Sequence, residues 1–370
     1  MNGQVHFSAL SEVPSVLTVQ SIFLVADSVA YAASGAEAIL RPLLANRTVT
    51  IFDSFEPNPK LAEVEACAEA LRESKPEALL AVGGGTAMDV AKLANWLSAQ
   101  NVGKEEILRG EWASPQTPLP LIAVPTTAGT GSEATHFTVV YADGDKHSVA
   151  HPLMRPTVAV VDASLTASLP PMLTSHSGLD ALCQAIESIW AIGADETSLQ
   201  FAREGLGLAW ENLEAAVNAP TPAARDAMAR AAHLAGQAIN LTKTTVPHAL
   251  SYTITSAYGL PHGAAVALTL GAALVFNSEV NETDCLDARG AVAVRERMAR
   301  IYETLGARDA AEAAGRFEAL VKSIGCPASL AEVGITEAAQ VDHICATVNM
   351  ERLANNPRRL TPEDLRGLLQ

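Results

Sequence analysis

One carboxylate, one amide and two imidazoles carry the most pointed chemistry in this sequence. Asp180 and Gln184 stand four residues apart and share one face of a helix expected over 175–191. Leu179, Leu182, Ala185 and Ile186 around them are apolar, and a carboxylate in such surroundings requires a partner, a metal or a proton. His248 and His262 follow, fourteen residues apart, the second in a Pro261-His262-Gly263 turn. The four side chains together have the composition of a divalent-cation site, and such a cation polarises a carbonyl oxygen for hydride attack. Taken singly, each histidine is more commonly a satisfied interior or surface residue.

Two turns suggest a phosphate-bearing ligand. Val82 is followed by Gly83, Gly84, Gly85 and Thr86, then by a helical stretch through Asp89 and Lys92. Glycines between a strand and a helix let backbone N–H groups approach a phosphate, and the helix start adds partial positive charge. The spacing is not G-x-G-x-x-G, so the common dinucleotide fingerprint is absent. The second turn, 125–133, carries four hydroxyls (Thr126, Thr127, Thr130, Ser132) and two glycines at the carboxyl end of another expected strand. Ligands of open α/β sheets bind outside such ends. Asp53 closes a third expected strand, where its carboxylate can accept from a ribose 2′-hydroxyl and would repel a 2′-phosphate, favouring NADH over NADPH.

The elements that must position these residues divide the chain in two. Apolar runs at 21–26, 48–52, 78–82, 119–124 and 157–161 read as buried strands, with helical patterns at 60–74 and 88–99 between them. That alternation predicts a mostly parallel sheet covered by helices. Beyond Pro170-Pro171 the strand-like runs fade, and 175–191, 196–218, 222–240, 246–258 and 291–305 read as helices. The expected organisation is an α/β nucleotide-binding domain over 1–168 and an all-α domain over 169–370.

Bulk properties exclude several roles. A formal net charge of -16 over 370 residues opposes a nucleic-acid surface. Cys67, Cys183, Cys285, Cys326 and Cys345 are scattered and form no C-x-x-C pair, which suits a reducing compartment. No apolar run approaches a membrane span and no secretory leader pattern opens the chain, so a cytoplasmic protein without a membrane partner is expected.

Three motifs coincide in this chain: Gly83-Gly84-Gly85-Thr86-x-x-Asp89-x-x-Lys92, the hydroxyl-rich turn 125–133, and Gly178-x-Asp180-Ala181-Leu182 upstream of the paired histidines. Together with the ending Asn356-Pro357-Arg358-x-Leu360-Thr361-x-Glu363-Asp364-Leu365, they resemble the iron-containing (group III) alcohol dehydrogenases, from about Ser21 onward. The resemblance implies the dehydroquinate synthase-like fold and a nicotinamide cofactor, NADH or NADPH, held by Gly84, Gly85, Thr86, Asp89, Thr126, Thr127, Thr130 and Ser132. It also implies a divalent metal, Fe2+ or Zn2+, at Asp180, Gln184, His248 and His262. Gln184 stands where the family places a histidine, and an amide oxygen is a weaker, harder ligand, which lowers affinity for a transition metal. Tyr252 stands where many members have a proton-relaying histidine; a phenol still passes protons, from an ordinary pKa near 10.

Longer stretches, including 178–188 and 238–245, resemble the phosphonoacetaldehyde reductase subfamily, which implies reduction of phosphonoacetaldehyde to 2-hydroxyethylphosphonate. An anionic substrate needs charge-assisted donors. Lys243, Thr244 and Thr245 before the His248 helix offer one set, and Lys146, His151 and His136 a second. Catalytic roles fall to His262, Tyr252 and His248, and a homodimer is expected. Maleylacetate reduction, a short-chain alcohol or diol dehydrogenase, a dehydroquinate-synthase-like lyase and a catalytically silent binding protein are the competing readings.

Overall fold

A parallel strand buried on both faces reads as an unbroken apolar run, and the first half of the chain builds its sheet from such runs. The computed structural model describes residues 3–15, 18–100, 103–110, 116–143 and 145–370, and divides into two units, Met1–Leu169 and Pro170–Gln370. The strands of the first unit are β1 (Gln4–His6), β2 (Ser21–Ala26), β3 (Thr48–Phe52), β4 (Ala78–Gly83), β5 (Leu121–Pro125), β6 (Phe137–Ala142), β7 (Asp145–Ala150) and β8 (Val158–Val160). Six of them form one parallel sheet in the order β1-β8-β5-β4-β2-β3, while β6 and β7 pair antiparallel as a separate hairpin. The helices are α1 (Ser28–Ala33), α2 (Ala36–Leu43), α3 (Leu61–Ser74), α4 (Gly85–Ala99) and α5 (Lys104–Arg109).

Alternation along the strands feeds two cores. Phe23, Val25, Leu79 and Ala81 point to the face covered by α3 and α4, where Trp96 and Met88 are buried. Ile22, Leu24, Leu80 and Val82 point to the other face, against Leu40 and Leu44. From β2 the chain moves outward to β3, then returns past β2 to β4 and on to β5. The carboxyl ends of β2 and β4 therefore flank the point where the winding reverses, the usual ligand position in such sheets.

The second unit is helical: α6 (Pro171–Trp190), α7 (Glu196–Asn218), α8 (Pro222–Thr242), α9 (Val246–Tyr258), α10 (His262–Ser278), α11 (Ala291–Thr304), α12 (Ala310–Ser323), α13 (Ala338–Ala346), α14 (Met350–Leu353) and α15 (Pro362–Gly367). Helix α6 is its axis, buried without interruption from Gly178 to Trp190 and packed by α7, α8, α10 and α11. Small residues permit this crowding: a Cβ at Gly178 would stand 2.2 Å from Leu213 Cδ1.

The carboxyl end of α6 is tied down by charge. Asp287 accepts from Arg289 Nε at 2.8 Å and from Arg297 Nη2 at 2.5 Å, and Arg289 Nη2 donates to the Ile192 carbonyl at 2.8 Å. Burial would raise the Asp287 carboxyl, but the two guanidiniums outweigh it and hold it down to about 2. A folded pKa below the unfolded value stabilises above pH 4 and loses that contribution as pH falls toward 2. Asp287→Asn is expected to cost about 2–3 kcal/mol at pH 7. The gap from wild type should close between pH 5 and 2, as read by urea titrations across that range.

Candidate active site

Helix α6 advances about 100° per residue, so offsets of four and seven bring Asp180, Gln184 and Glu187 onto one face. All three are buried, Glu187 completely. Glu187 was not among the expected site residues, yet it organises the start of α9. Its Oε1 accepts from the Thr245 backbone N–H and the Thr245 hydroxyl, each at 2.8 Å, and its Oε2 pairs with His248 Nδ1. Trp190 Nε1 donates to Thr245 Oγ1 at 2.8 Å.

His248 Nε2 then lies 3.3 Å from Asp180 Oδ1, and His262 Nε2 lies 3.9 Å from the same oxygen. Ser251 donates its hydroxyl proton to the His248 carbonyl at 2.8 Å, so its oxygen is the acceptor for His262 Nδ1 at 3.4 Å. Each imidazole thus has Nδ1 engaged by a neighbour and Nε2 turned toward Asp180. That is how histidines are oriented around a metal. One ligand atom from each of Asp180, His248 and His262 lies within 4.8 Å of the others. Burial would lower His248, but the carboxylates of Glu187 and Asp180 outweigh it and raise the imidazole to about 9. Burial would likewise raise Asp180, and the two histidines and the Gln184 amide hold it below the usual carboxylate range.

Gln184 stands beside this trio. Its amide nitrogen donates to Asp180 Oδ1 at 3.0 Å and so steadies the carboxylate. One carboxylate and two imidazoles suit Fe2+ or Zn2+, and three protein ligands leave room for a reacting group. Tyr252, one turn after His248 on α9, has its ring 6.4 Å from that of His262.

His262 is the first residue of α10, with Pro261 as its N-cap, where the sequence reading placed a turn. The following glycine is a packing necessity. A Cβ at Gly263 would lie 1.9 Å from the His176 carbonyl oxygen and 2.9 Å from the Asp180 nitrogen. Gly263→Ala should therefore push α10 off α6 and carry His262 away from Asp180. The expected stability loss is about 2–3 kcal/mol, from overpacking against backbone, together with a lower bound-metal content. Urea unfolding and elemental analysis would check it.

The first unit presents its own site around Gly83–Thr86. Helix α4 begins at Gly85 with Gly84 as N-cap and no side-chain cap, leaving its first N–H groups for a ligand. The turn 125–133 packs directly on the glycines: a Cβ at Gly84 would meet Thr127 Cγ2 at 3.3 Å, and one at Gly85 would meet Thr130 Cγ2 at 2.7 Å. Thr126 Oγ1 is buried and makes no hydrogen bond within the described residues. Uncapped N–H groups, a glycine cradle and a buried hydroxyl without a protein acceptor together fit a dinucleotide pyrophosphate.

Asp89 and Ser132 are turned to a different use. The Ser132 hydroxyl donates to Asp89 Oδ1 at 2.7 Å, and Asp89 Oδ2 accepts from the Val139 N–H at 3.0 Å. These two residues shape the loop, and both carboxylate oxygens are already engaged. Lys92, fully buried, completes the frame by donating to the carbonyls of Ser132 and Phe137 at 2.9 and 2.6 Å. Asp53 is exposed beyond the edge strand β3, whereas Asp27 ends β2 beside β4, with its Cβ 3.6 Å from where a Gly83 Cβ would be. Asp27 is the acidic group nearest the glycine turn that sequence reasoning missed; its Oδ1 caps α1 through the Ala30 N–H at 2.8 Å.

The expected anion cluster at Lys243–Thr245 is corrected by the structure. Lys243 is paired with Glu351, Thr245 is fully buried and engaged by Glu187, and the N–H groups opening α9 face that same carboxylate. Thr244 is buried, with its carbonyl accepting from Asn355. The helix start does bind an anion, but the anion belongs to this chain. In the second set, His151 stacks on Trp96 at 4.1 Å and its Nδ1 accepts from the Leu153 N–H, so it serves packing and capping. Lys146 lies on β7 opposite Tyr141, and His136 packs edge-on to Phe137.

Comparison with known proteins agrees with this architecture. The iron-containing alcohol dehydrogenase family model matches residues 2–163, and the C-terminal model of the Fe-containing alcohol dehydrogenase family matches residues 174–370. A phosphonoacetaldehyde reductase of Streptomyces viridochromogenes is 36% identical over 342 residues, covering 89% of this chain and 83% of its own. An NAD-dependent methanol dehydrogenase of Bacillus methanolicus is 32% identical over 335 residues, covering 87% of this chain and 84% of its own. The crystal structure of sulfoacetaldehyde reductase from Bifidobacterium kashiwanohense in complex with NAD+ superposes with a TM-score of 0.88 at 31% identity, over 100% of this chain and 96% of the other. The chain belongs to the iron-containing alcohol dehydrogenase family.

Proposed function

We propose that this alcohol dehydrogenase reduces a small anionic aldehyde with a nicotinamide cofactor, and that the reaction is phosphonoacetaldehyde to 2-hydroxyethylphosphonate. The observation that carries the chemistry is the convergence of Asp180, His248 and His262, each imidazole fixed at Nδ1 with Nε2 toward the carboxylate. The anionic substrate class rests on two relatives whose names specify two-carbon aldehydes bearing a tetrahedral anion, one a phosphonate and one a sulfonate.

When bound, the nicotinamide supplies the hydride and a divalent cation, Fe2+ or Zn2+, polarises the carbonyl oxygen. Asp180, His248 and His262 are the residues that would hold the cation. Glu187 and Ser251 keep the two imidazoles in the tautomer that this requires. Tyr252, half-buried beside His262, passes a proton to the product oxygen through solvent. In the first unit, the N–H groups opening α4 and the Thr126 hydroxyl take the pyrophosphate. Asp27, beside the glycine turn, and Asp53 further out are the carboxylates that would accept from ribose hydroxyls and, by repelling a 2′-phosphate, favour NADH.

The test is a spectrophotometric screen of NADH and NADPH oxidation against phosphonoacetaldehyde, sulfoacetaldehyde, maleylacetate and propanal, with and without chelator. The expected result is fastest turnover of phosphonoacetaldehyde with NADH, suppressed by chelator. Equal or better kcat/KM for propanal would overturn the anionic substrate. Turnover without net NADH consumption would point instead to a lyase that recycles its cofactor.

A further inference from the structure

An anionic head group needs a donor close to the reacting carbonyl. The Lys243 ammonium is paired with Glu351 and the start of α9 faces Glu187, so neither supplies one. One turn before Asp180, α6 carries a further imidazole, His176. It lies four residues before Asp180, and at about 100° per residue it stands about 40° from Asp180 and about 20° from Glu187 around the helix axis, on the same face. No hydrogen bond within the described residues engages its ring, and it is half-buried. Burial alone sets its titration, lowering it from the ordinary histidine value, which leaves a neutral imidazole with one N–H to donate.

Its position relative to His262 is fixed by close packing. A Cβ on Gly263 would run into the His176 carbonyl and the Asp180 nitrogen, so the His262-Gly263 opening of α10 packs against the α6 backbone between residues 176 and 180. One helical turn, about 6 Å of rise over four residues, separates the Asp180 position from that of His176. In phosphonoacetaldehyde a single methylene separates carbonyl carbon from phosphorus, so the phosphonate oxygens lie about 4–5 Å from the carbonyl oxygen, a span that a hydrogen bond from a side chain one turn before Asp180 can complete.

We propose that His176 is a substrate-binding residue that donates a hydrogen bond to the tetrahedral anionic head of a two-carbon aldehyde and so sets the preference for anionic over neutral substrates. The inference rests on the reading of the trio as the carbonyl-binding site. A phosphonate and a sulfonate share the recognising chemistry, and the experiment separates them.

The experiment measures steady-state kinetics of the full-length, metal-loaded wild type, His176→Ala and His176→Gln with phosphonoacetaldehyde, sulfoacetaldehyde and propanal. Coenzyme KM and bound metal are measured on each. His176→Ala is expected to raise the KM for the preferred anionic aldehyde by on the order of tenfold, the scale of a lost hydrogen bond to a charged group. The kcat, propanal kinetics, coenzyme KM and metal content should hold, and His176→Gln should recover part of the loss. An unchanged KM for both anionic aldehydes in His176→Ala, or an equal loss on propanal, overturns the role of His176. A wild type that does not prefer either anionic aldehyde over propanal overturns the substrate reading itself, and the inference with it. A preference for sulfoacetaldehyde that His176→Ala removes sustains the inference while correcting the proposed phosphonate.

Discussion

Asp180→Asn is expected to lower kcat/KM by about a thousandfold, equivalent to ~4 kcal/mol of transition-state stabilisation. Asp180 is the one carboxylate that both Nε2 atoms face, and its Oδ1 also accepts from Gln184. Asparagine has nearly the same shape but no charge, and its amide nitrogen can only donate. The buried pair of imidazoles would then face a neutral group, which weakens cation binding and leaves His248 with Glu187 as its sole carboxylate partner. Metal content by elemental analysis should fall with activity, while far-ultraviolet dichroism stays that of wild type. Full activity in the asparagine variant would remove Asp180 from the chemistry.

Glu187 should separate two roles according to the replacement. In Glu187→Ala, the Thr245 N–H and hydroxyl lose their acceptor in a fully buried place, and the His248 ring loses the carboxylate at Nδ1. Removing one partner of a buried charged pair costs about 3–5 kcal/mol, which urea titration would register. Glu187→Gln should be milder in stability, because an amide oxygen can still accept from Thr245. Its NH2, however, is a donor facing Nδ1. It would draw the ring into the opposite tautomer, placing the proton on Nε2 where a cation must bind. The expected consequence is a drop of about 10–100-fold in metal affinity. Equal metal affinity in the glutamine variant and wild type would show that the Glu187–His248 pair does not orient the ligand.

The strands were legible where burial on both faces writes an unbroken apolar run, as in β2 and β4, which fall on the expected 21–26 and 78–82 to within a residue. The hairpin β6–β7 was not, because β6 alternates between buried and half-buried residues and β7 mixes lysine and histidine into one strand. The trio of Asp180, His248 and His262 was legible through spacing and resemblance. Glu187 carries the same signal, seven residues after Asp180 on one helical face. The pairing of Lys243 is one that no local pattern holds: its partner Glu351 is 108 residues away. Asp27 carries only the local signal of a helix-capping aspartate, and its place beside the glycine turn follows from the β2–β4 pairing.

Lys92 donates to three oxygens around residues 132–137 from a fully buried position, and Asp89, one turn earlier on α4, accepts from the Ser132 hydroxyl beside it. The hydroxyl-bearing turn is thus braced from within before any nucleotide arrives. Coenzyme capture then freezes little backbone, so its entropic penalty falls mainly on the flexible ligand, and affinity follows from preorganisation more than from the number of contacts.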